Sequence, residues 1–215
     1  MVFYFTSSEG HTIYMGKDKF ENEDLIRYGF LEDIWFHVDD LSSAHVYLRL
    51  PIGKSALDDI SETCLEECAQ LVKENSIEGC KKKSVKVIYT KWRNLKKTPS
   101  MEVGQVGFNH PERVRTYVVE EKNKDILKAL NKSKVESYPD LEEERRQREL
   151  LYKAERKKQR QQIELQERKA REEFKKQKEL RSYSTLLTRD NIESGEKVVA
   201  SADLSSVNAY EEDFM

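Results

Sequence analysis

The sequence predicts an α+β fold: a small mixed sheet-and-helix domain followed by one long charged helix. Three observations predict it. Short apolar runs with two-residue alternation recur up to about residue 120. One stretch among them carries an apolar step of three and four residues. From Asp140 to Arg181 the chain holds no Gly or Pro. The runs do not alternate as regular strand–helix–strand units, so a doubly wound sheet is not expected.

The elements follow in order. VFYFTS (Val2–Ser7) and TIYMG (Thr12–Gly16) read as a hairpin around SEGH, with Gly10 in the turn. Asp18 to Gly29 reads as a short helix, with Asp18 its N-cap and Gly29 its stop. DIWFHVD and HVYLRL form a second hairpin, ended by Pro51 and Gly53. Asp59 to Ser76 is the clearest helix, because Ile60, Cys64, Leu65, Cys68, Leu71 and Val72 recur at helical steps. VKVIYT (Val85–Thr90) is a strand. Met101–Phe108 and Val114–Glu121 read as a further hairpin turned at NHPE, and Asp125 to Lys134 as a short helix.

The expected domain thus covers residues 1–135, and the long charged, coiled-coil-like helix residues 139–181. Glu142/Arg146, Glu144/Arg148, Glu149/Lys153, Glu164/Arg168, Glu167/Arg171 and Glu172/Lys176 are Glu-first pairs at i,i+4. Each adds about 0.2–0.5 kcal/mol to a helix, and a helix of this length spans roughly 60 Å. Leu141, Leu150, Leu151, Ile163, Leu165, Phe174 and Leu180 do not keep a heptad rhythm. A solitary, monomeric helix is therefore expected. Residues 182–215 turn polar and end in YEEDFM, which predicts a disordered, acidic-ended tail.

Bulk composition narrows the function classes. Of 215 residues, 36% are charged yet the net charge is only −2, so partners must be read from local blocks. Cys64, Cys68 and Cys80 have no framework spacing, which fits thiols in a reducing compartment, cytoplasmic with the nucleus as alternative. Cys64 and Cys68 share a helix face and read as buried apolar residues. The N-terminus lacks a signal-peptide pattern, and no window reaches the ~18–20 apolar residues of a membrane span.

The second hairpin carries the first candidate site. Ile34, Phe36, Val38, Val46, Leu48 and Leu50 share one face, which reads as core. The other face holds Trp35 and His37 with His45, Tyr47 and Arg49 across the hairpin. Two His without a third fixed ligand do not make a metal site. Ser42 and Ser43 lack a nucleophile-elbow pattern, so no catalytic residue is assigned. Two compatible readings stay: a second core layer, or an aromatic and cationic platform whose open rim meets nucleic acid. On the second, His45 has an unperturbed pKa of about 6.5 and should strengthen binding as pH falls from 8 to 6.

The second candidate is the stretch from Cys80 to Thr98. It contains Lys81, Lys82, Lys83, Lys86, Lys91, Arg93, Lys96 and Lys97 with no Asp or Glu, and Tyr89 and Trp92 are interleaved. Cations with aromatics suit a phosphate backbone with exposed bases.

TIYMGKDKFENEDLI, DIWFHVDDLSSAHVYLR, LEECAQLVKENS and VIYTKWRNLKKTPSMEVGQVGF follow one another in the order found in the NFACT-R domain. Over about residues 1–120 the chain resembles that family, the RNA-binding module of ribosome quality-control proteins. The resemblance matches Asp33–Val38 to the family's strand motif and His45 to the His of its Pro-Gly-Ser-His turn, here preceded by Ser42, Ser43 and Ala44. Lys96 and Lys97 match its paired basic residues, and Gly104 its Pro-Gly-x-Val segment, here without the proline. It implies RNA binding and no catalytic residue or cofactor. Ribosome and tRNA duties that depend on the larger members' other domains do not carry over. The expected function is non-enzymatic nucleic-acid binding. RNA is favoured through the family, and phosphate chemistry accepts DNA as well. The alternative is a helical adaptor, or a DNA receptor or signalling protein, whose long helix recruits a partner protein.

Overall fold

The computed structural model describes residues 1–54 and 57–181. In chain order these form β1 (Val2–Thr6), β2 (Thr12–Gly16), α1 (Lys19–Tyr28), β3 (Asp33–Val38), β4 (Val46–Arg49), α2 (Glu62–Glu74) and β5 (Val85–Lys91). Then come β6 (Leu95–Lys96), β7 (Gly107–Phe108), β8 (Arg115–Val119), α3 (Lys124–Lys132), β9 (Val135–Ser137) and α4 (Leu141–Arg181). A seven-stranded sheet runs β8-β5-β3-β4-β2-β1-β9, with every neighbouring pair antiparallel. β6 and β7 pair separately. This is the α+β arrangement the sequence predicts. The tail expected to be disordered lies outside the described residues.

Local chemistry explains the elements. Asp18 Oδ1 accepts from the backbone N–H of Phe20 and Glu21 and so caps α1. Ser61 caps α2 through the Cys64 N–H. Gly10 and Gly53 hold positive φ in the turns that close the first hairpin and end the second.

The strand alternation sorts the core into two layers. Ile34, Phe36, Val38, Val46, Leu48 and Leu50 meet Cys64, Cys68, Ala69, Leu71 and Val72 of α2 and Leu130 of α3. On the opposite face Trp35, Tyr47, Tyr14 and Val2 pack with Leu25 of α1, and Trp92, Leu95 and Phe108 close over them. The sheet therefore has α2 and α3 on one side and α1 plus the β6–β7 hairpin on the other.

One pairing differs from the sequence reading. Met101–Phe108 does not pair with β8. Only Gly107 and Phe108 are strand, and they pair with Leu95 and Lys96. Residues 101–106 form turns instead, because Lys97 Nζ takes the carbonyls of Glu102 and Gln105 at 2.7 and 2.9 Å. β8 pairs with β5. The missed strand β9 adds to β1 at the far edge.

The chain divides into two compact units, Met1–Leu151 and Tyr152–Met215. The first includes β9 and the opening turns of α4. There Arg148 pairs with the buried Glu32. Arg145 donates to the Gly29 carbonyl and lies 4.9 Å over the Trp92 ring. In the second unit α4 is exposed to Arg181, apart from half-buried Tyr152, with Ile163, Leu165, Phe174 and Leu180 all in solvent. Of the expected helix pairs, Glu167–Arg171 forms at 3.9 Å. Arg146 turns instead to Glu143 and Arg168 to Glu172.

Candidate nucleic-acid interface

The Trp35 face is a core layer at its centre. Trp35 and Tyr47 lie directly opposite each other and are buried. Tyr14 stacks on Tyr47 at 4.9 Å. Trp35 Nε1 donates to His45 Nδ1 at 2.8 Å, and His37 stacks on the Trp35 ring at 5.5 Å. The two His rings sit 4.7 Å apart, so they are neighbours as the hairpin implied. Arg49 is held by Asp33, through Nε at 2.9 Å and Nη2 at 3.2 Å. Asp33 also accepts from Tyr14 Oη and the Phe30 N–H. Trp35, Tyr47 and Arg49 are thus occupied inside the protein, where no base can reach the rings.

The same burial corrects the expected pH response. It pushes the His45 imidazole down to about 3, and the neighbouring His37 adds to the effect. Burial also lowers His37. His45 is therefore neutral near pH 7 and does not act as a cationic contact.

The open part of this face lies toward the sheet edge. His37, Ile88 and Thr116 stand in one row across β3, β5 and β8, and Lys86 and Val118 in the next. Lys86, Thr116 and Val118 are exposed, and His37 and Ile88 half-buried. Lys81, Lys82 and Lys83 approach this end through the turns before β5, with Lys83 3.5 Å from the exposed Glu121.

The contiguous basic block is therefore split by β5. Lys86 marks one end of the strand and Lys91 the other, roughly 17 Å away at about 3.3 Å per residue. The interleaved aromatics are not platforms. Tyr89 is buried and stacks on Phe36 at 5.5 Å, and Trp92 donates its N–H to the Ile26 carbonyl at 2.9 Å. Both turn inward because β5 and the turn after it pack against the two core layers.

Lys97 leaves the candidate set for a structural reason. Besides the two carbonyls, its ammonium pairs with Glu23 Oε1 at 2.7 Å, which also accepts from the Gly104 N–H. All three of its protons are engaged within the domain. Lys96, next to it, stays exposed.

At the far end of β5 lies a groove of about 960 Å³ lined by Lys91, Arg93, Asn94, Asn109, His110, Arg113 and Arg115, among others. Buried Asn94 builds its wall. Its Nδ2 donates to Thr90 Oγ1 and the His110 carbonyl, and its Oδ1 accepts from the His110 N–H at 2.8 Å. Two carboxylates also face the groove: Asp58 pairs with Arg115 at 2.7 Å, and Glu112 is hydrogen-bonded to the His110 ring at 3.1 Å. Lys91 and Arg93 are expected from the basic block. Asn109, His110, Arg113 and Arg115 are not, although NHPERVR shows its two Arg and one His to any reader who does not treat it as a hairpin turn.

Residues 1–110 match the family model described as NFACT protein RNA binding domain. The chain is 53% identical over 200 residues to coiled-coil domain-containing protein 25 of Bos taurus, covering 91% of this chain and 96% of that one. It is 51% identical over 150 residues to the coiled-coil domain-containing protein 25 homolog of Dictyostelium discoideum, covering 69% and 72%. Protein JLP2 of Saccharomyces cerevisiae is 37% identical over 149 residues, covering 66% and 72%. Among solved structures, the C-terminal part of the fibronectin/fibrinogen-binding protein from Streptococcus suis aligns with TM-score 0.50 and 21% identity. That alignment covers 59% of this chain and 48% of the other, and it speaks to the fold alone. With half its length matched by one model and close relatives along most of the rest, the chain belongs to the NFACT-R family.

Proposed function

We propose that this chain is a non-enzymatic nucleic-acid-binding protein that favours single-stranded RNA. The observation that carries the reading is the groove at the end of β5. Lys91, Arg93, Arg113 and Arg115 converge there with the amide side chain of Asn109 and the imidazole of His110. Lys91, Arg93 and Arg113 serve phosphates, Arg115 being paired with Asp58, and Arg adds a planar fork for bidentate contact. The Asn109 NH2 donates to the Arg93 and Leu95 carbonyls, which leaves its Oδ1 and the His110 imidazole to serve sugar hydroxyls and base edges. The family's description as an RNA binding domain supports RNA over DNA. Three thiols without a disulfide among the described residues agree with a cytoplasmic site of action, with the nucleus as alternative. No helix among the described residues is long and apolar enough to cross a membrane.

The test is a salt titration of single-stranded RNA binding by the parent and by an Arg93→Ala/Arg113→Ala variant. Each phosphate that is no longer neutralised should lower the log–log salt slope by about 0.7. An unchanged slope and affinity removes the groove from the interface.

A second reading rests on α4. Leu150, Leu151, Ile163, Leu165, Phe174 and Leu180 are exposed on a helix of 41 residues. They keep no heptad rhythm, so a helical arm that recruits a protein partner would use them as separate anchor points rather than as a coiled-coil seam. Co-purification with the full chain, abolished when these six are changed to Gln, would favour that role.

A further inference from the structure

We propose that Glu9, His11 and Cys64 form a zinc-type metal site where the tip of the β1–β2 hairpin lies over the first turn of α2. One carboxylate oxygen, one imidazole nitrogen and one cysteine sulfur lie within 4.8 Å of one another there. His11 Nε2 is 3.8 Å from Glu9 Oε2. None of the three belongs to the basic groove or the Trp35 layer.

The site is built rather than assembled from loose side chains. Ser8 N–H donates to both carboxylate oxygens of Glu67, at 3.0 and 3.2 Å, which ties the hairpin tip to α2. Ser7 N–H donates to the His11 carbonyl, and His11 N–H returns to Ser7 Oγ, each at 2.9 Å. Gly10 carries the turn at φ +81° and sets Glu9 and His11 on either side of it. Cys64 lies in the first turn of α2, where the helix N-terminus favours a thiolate. Burial acts the other way and raises the free thiol. A bound dication overrides that burial, because a coordinating thiol is deprotonated outright.

Burial gives each ligand a distinct part. The Cys64 sulfur forms the floor, while exposed Glu9 and half-buried His11 can close over it from the solvent side. Ligand atoms around tetrahedral zinc stand about 3.5 Å apart, so closure takes about 1 Å of movement by the two accessible side chains. The donor set selects the metal. Thiolate and imidazole exclude magnesium and calcium, and the added carboxylate suits zinc better than a soft monovalent copper. Three protein ligands leave the fourth position to water. On binding, the Cys64 S–H proton leaves to solvent as the S–Zn bond forms, with no change of oxidation state. Cys68, one turn further along α2, is not grouped with Glu9 and His11 and stays outside the site.

The experiment uses the full chain, without a histidine tag, equilibrated with zinc and then desalted for metal analysis, alongside a titration with cobalt(II). The expected result is a single retained equivalent of zinc and a thiolate-to-cobalt charge-transfer absorption. His11→Ala and Glu9→Ala should each weaken binding about tenfold or more, and Cys64→Ser should abolish the absorption. His11 and Glu9 lie toward solvent, so their variants decide the question even if Cys64→Ser folds poorly. No retained zinc and no cobalt band in the parent, or a parent indistinguishable from both His11→Ala and Glu9→Ala, overturns the proposal.

Discussion

Trp35 donates its indole N–H to Nδ1 of His45 across the β3–β4 hairpin, at 2.8 Å. That bond fixes the tautomer. Nδ1 accepts, so a neutral His45 carries its proton on Nε2, on the side of the Gly104 backbone. Protonating Nδ1 would break the bond and place a charge in a buried layer. Burial and the nearby His37 hold the group at about 3 for this reason.

A pH dependence of stability follows. The folded-state pKa of about 3 lies below the unfolded value near 6.5. Between these values the unfolded chain binds a proton that the folded chain does not. This stabilising contribution is complete above about pH 6.5 and falls as pH drops toward 3. Between pH 7 and pH 5 it should amount to about 2 kcal/mol. Urea unfolding of the parent and of His45→Gln at both pH values measures it. The parent should lose about that much more than the variant. Equal losses would mean that His45 titrates normally in the fold. RNA affinity should show no His45-dependent rise from pH 8 to pH 6.

Lys96 and Lys97 should separate cleanly despite being adjacent. Lys97 holds Glu23 and the 102–105 turn, so Lys97→Met should cost about 1–3 kcal/mol by leaving its partners unpaired. It should leave the salt slope of RNA binding unchanged. Lys96→Met should do the reverse, with stability within about 0.5 kcal/mol of the parent. Denaturant midpoints and salt titrations on the two variants suffice. A lower slope for Lys97→Met would return it to the interface.

The opening turns of α4 should stabilise the domain. Arg148 neutralises Glu32, which is almost wholly buried, and breaking such a pair costs about 3–5 kcal/mol. A chain ending at Leu151 should therefore unfold near the parent's denaturant midpoint. A chain ending at Pro139 should be less stable by about 3 kcal/mol or more, and Arg148→Met should reproduce most of that loss. If the two truncations melt alike, the Arg148–Glu32 pair contributes little.

The two core layers were legible because β alternation is a local signal. Ile34 and Phe36 against Trp35 and Tyr47 needed only the period of two. The cap at Asp18 and the length of α4 were equally local. Non-local facts were hidden. Nothing in the sequence shows that Lys97 folds back on Glu23, that Arg148 turns from its helix to Glu32, or that β8 joins β5 rather than the segment before it. The basic block misled for the same reason. Residues contiguous in sequence are dispersed by a strand, while Lys91 and Arg113, far apart in sequence, meet in one groove.

That dispersal gives the last prediction. Lys81, Lys82, Lys83 and Lys86 sit at one end of β5, and Lys91, Arg93, Arg113 and Arg115 at the other. A short RNA oligomer can engage only one end, since roughly 17 Å separates Lys86 from Lys91 along the strand. A longer strand can reach both and gains the effective concentration of a second site. Charge reversal of Lys81, Lys82, Lys83 and Lys86 to Glu should therefore leave short oligomers nearly unaffected if they sit in the Arg groove. The same change should weaken long ones and lower their salt slope by about 0.7 for each phosphate set free. Arg93→Ala/Arg113→Ala should weaken oligomers of every length. Affinities measured over a length series at two salt concentrations read out both effects. If the lysine variant weakens short and long RNA equally, the primary site is the Lys81–Lys86 end. If it weakens neither, those lysines are only a solvated face, and the groove alone binds.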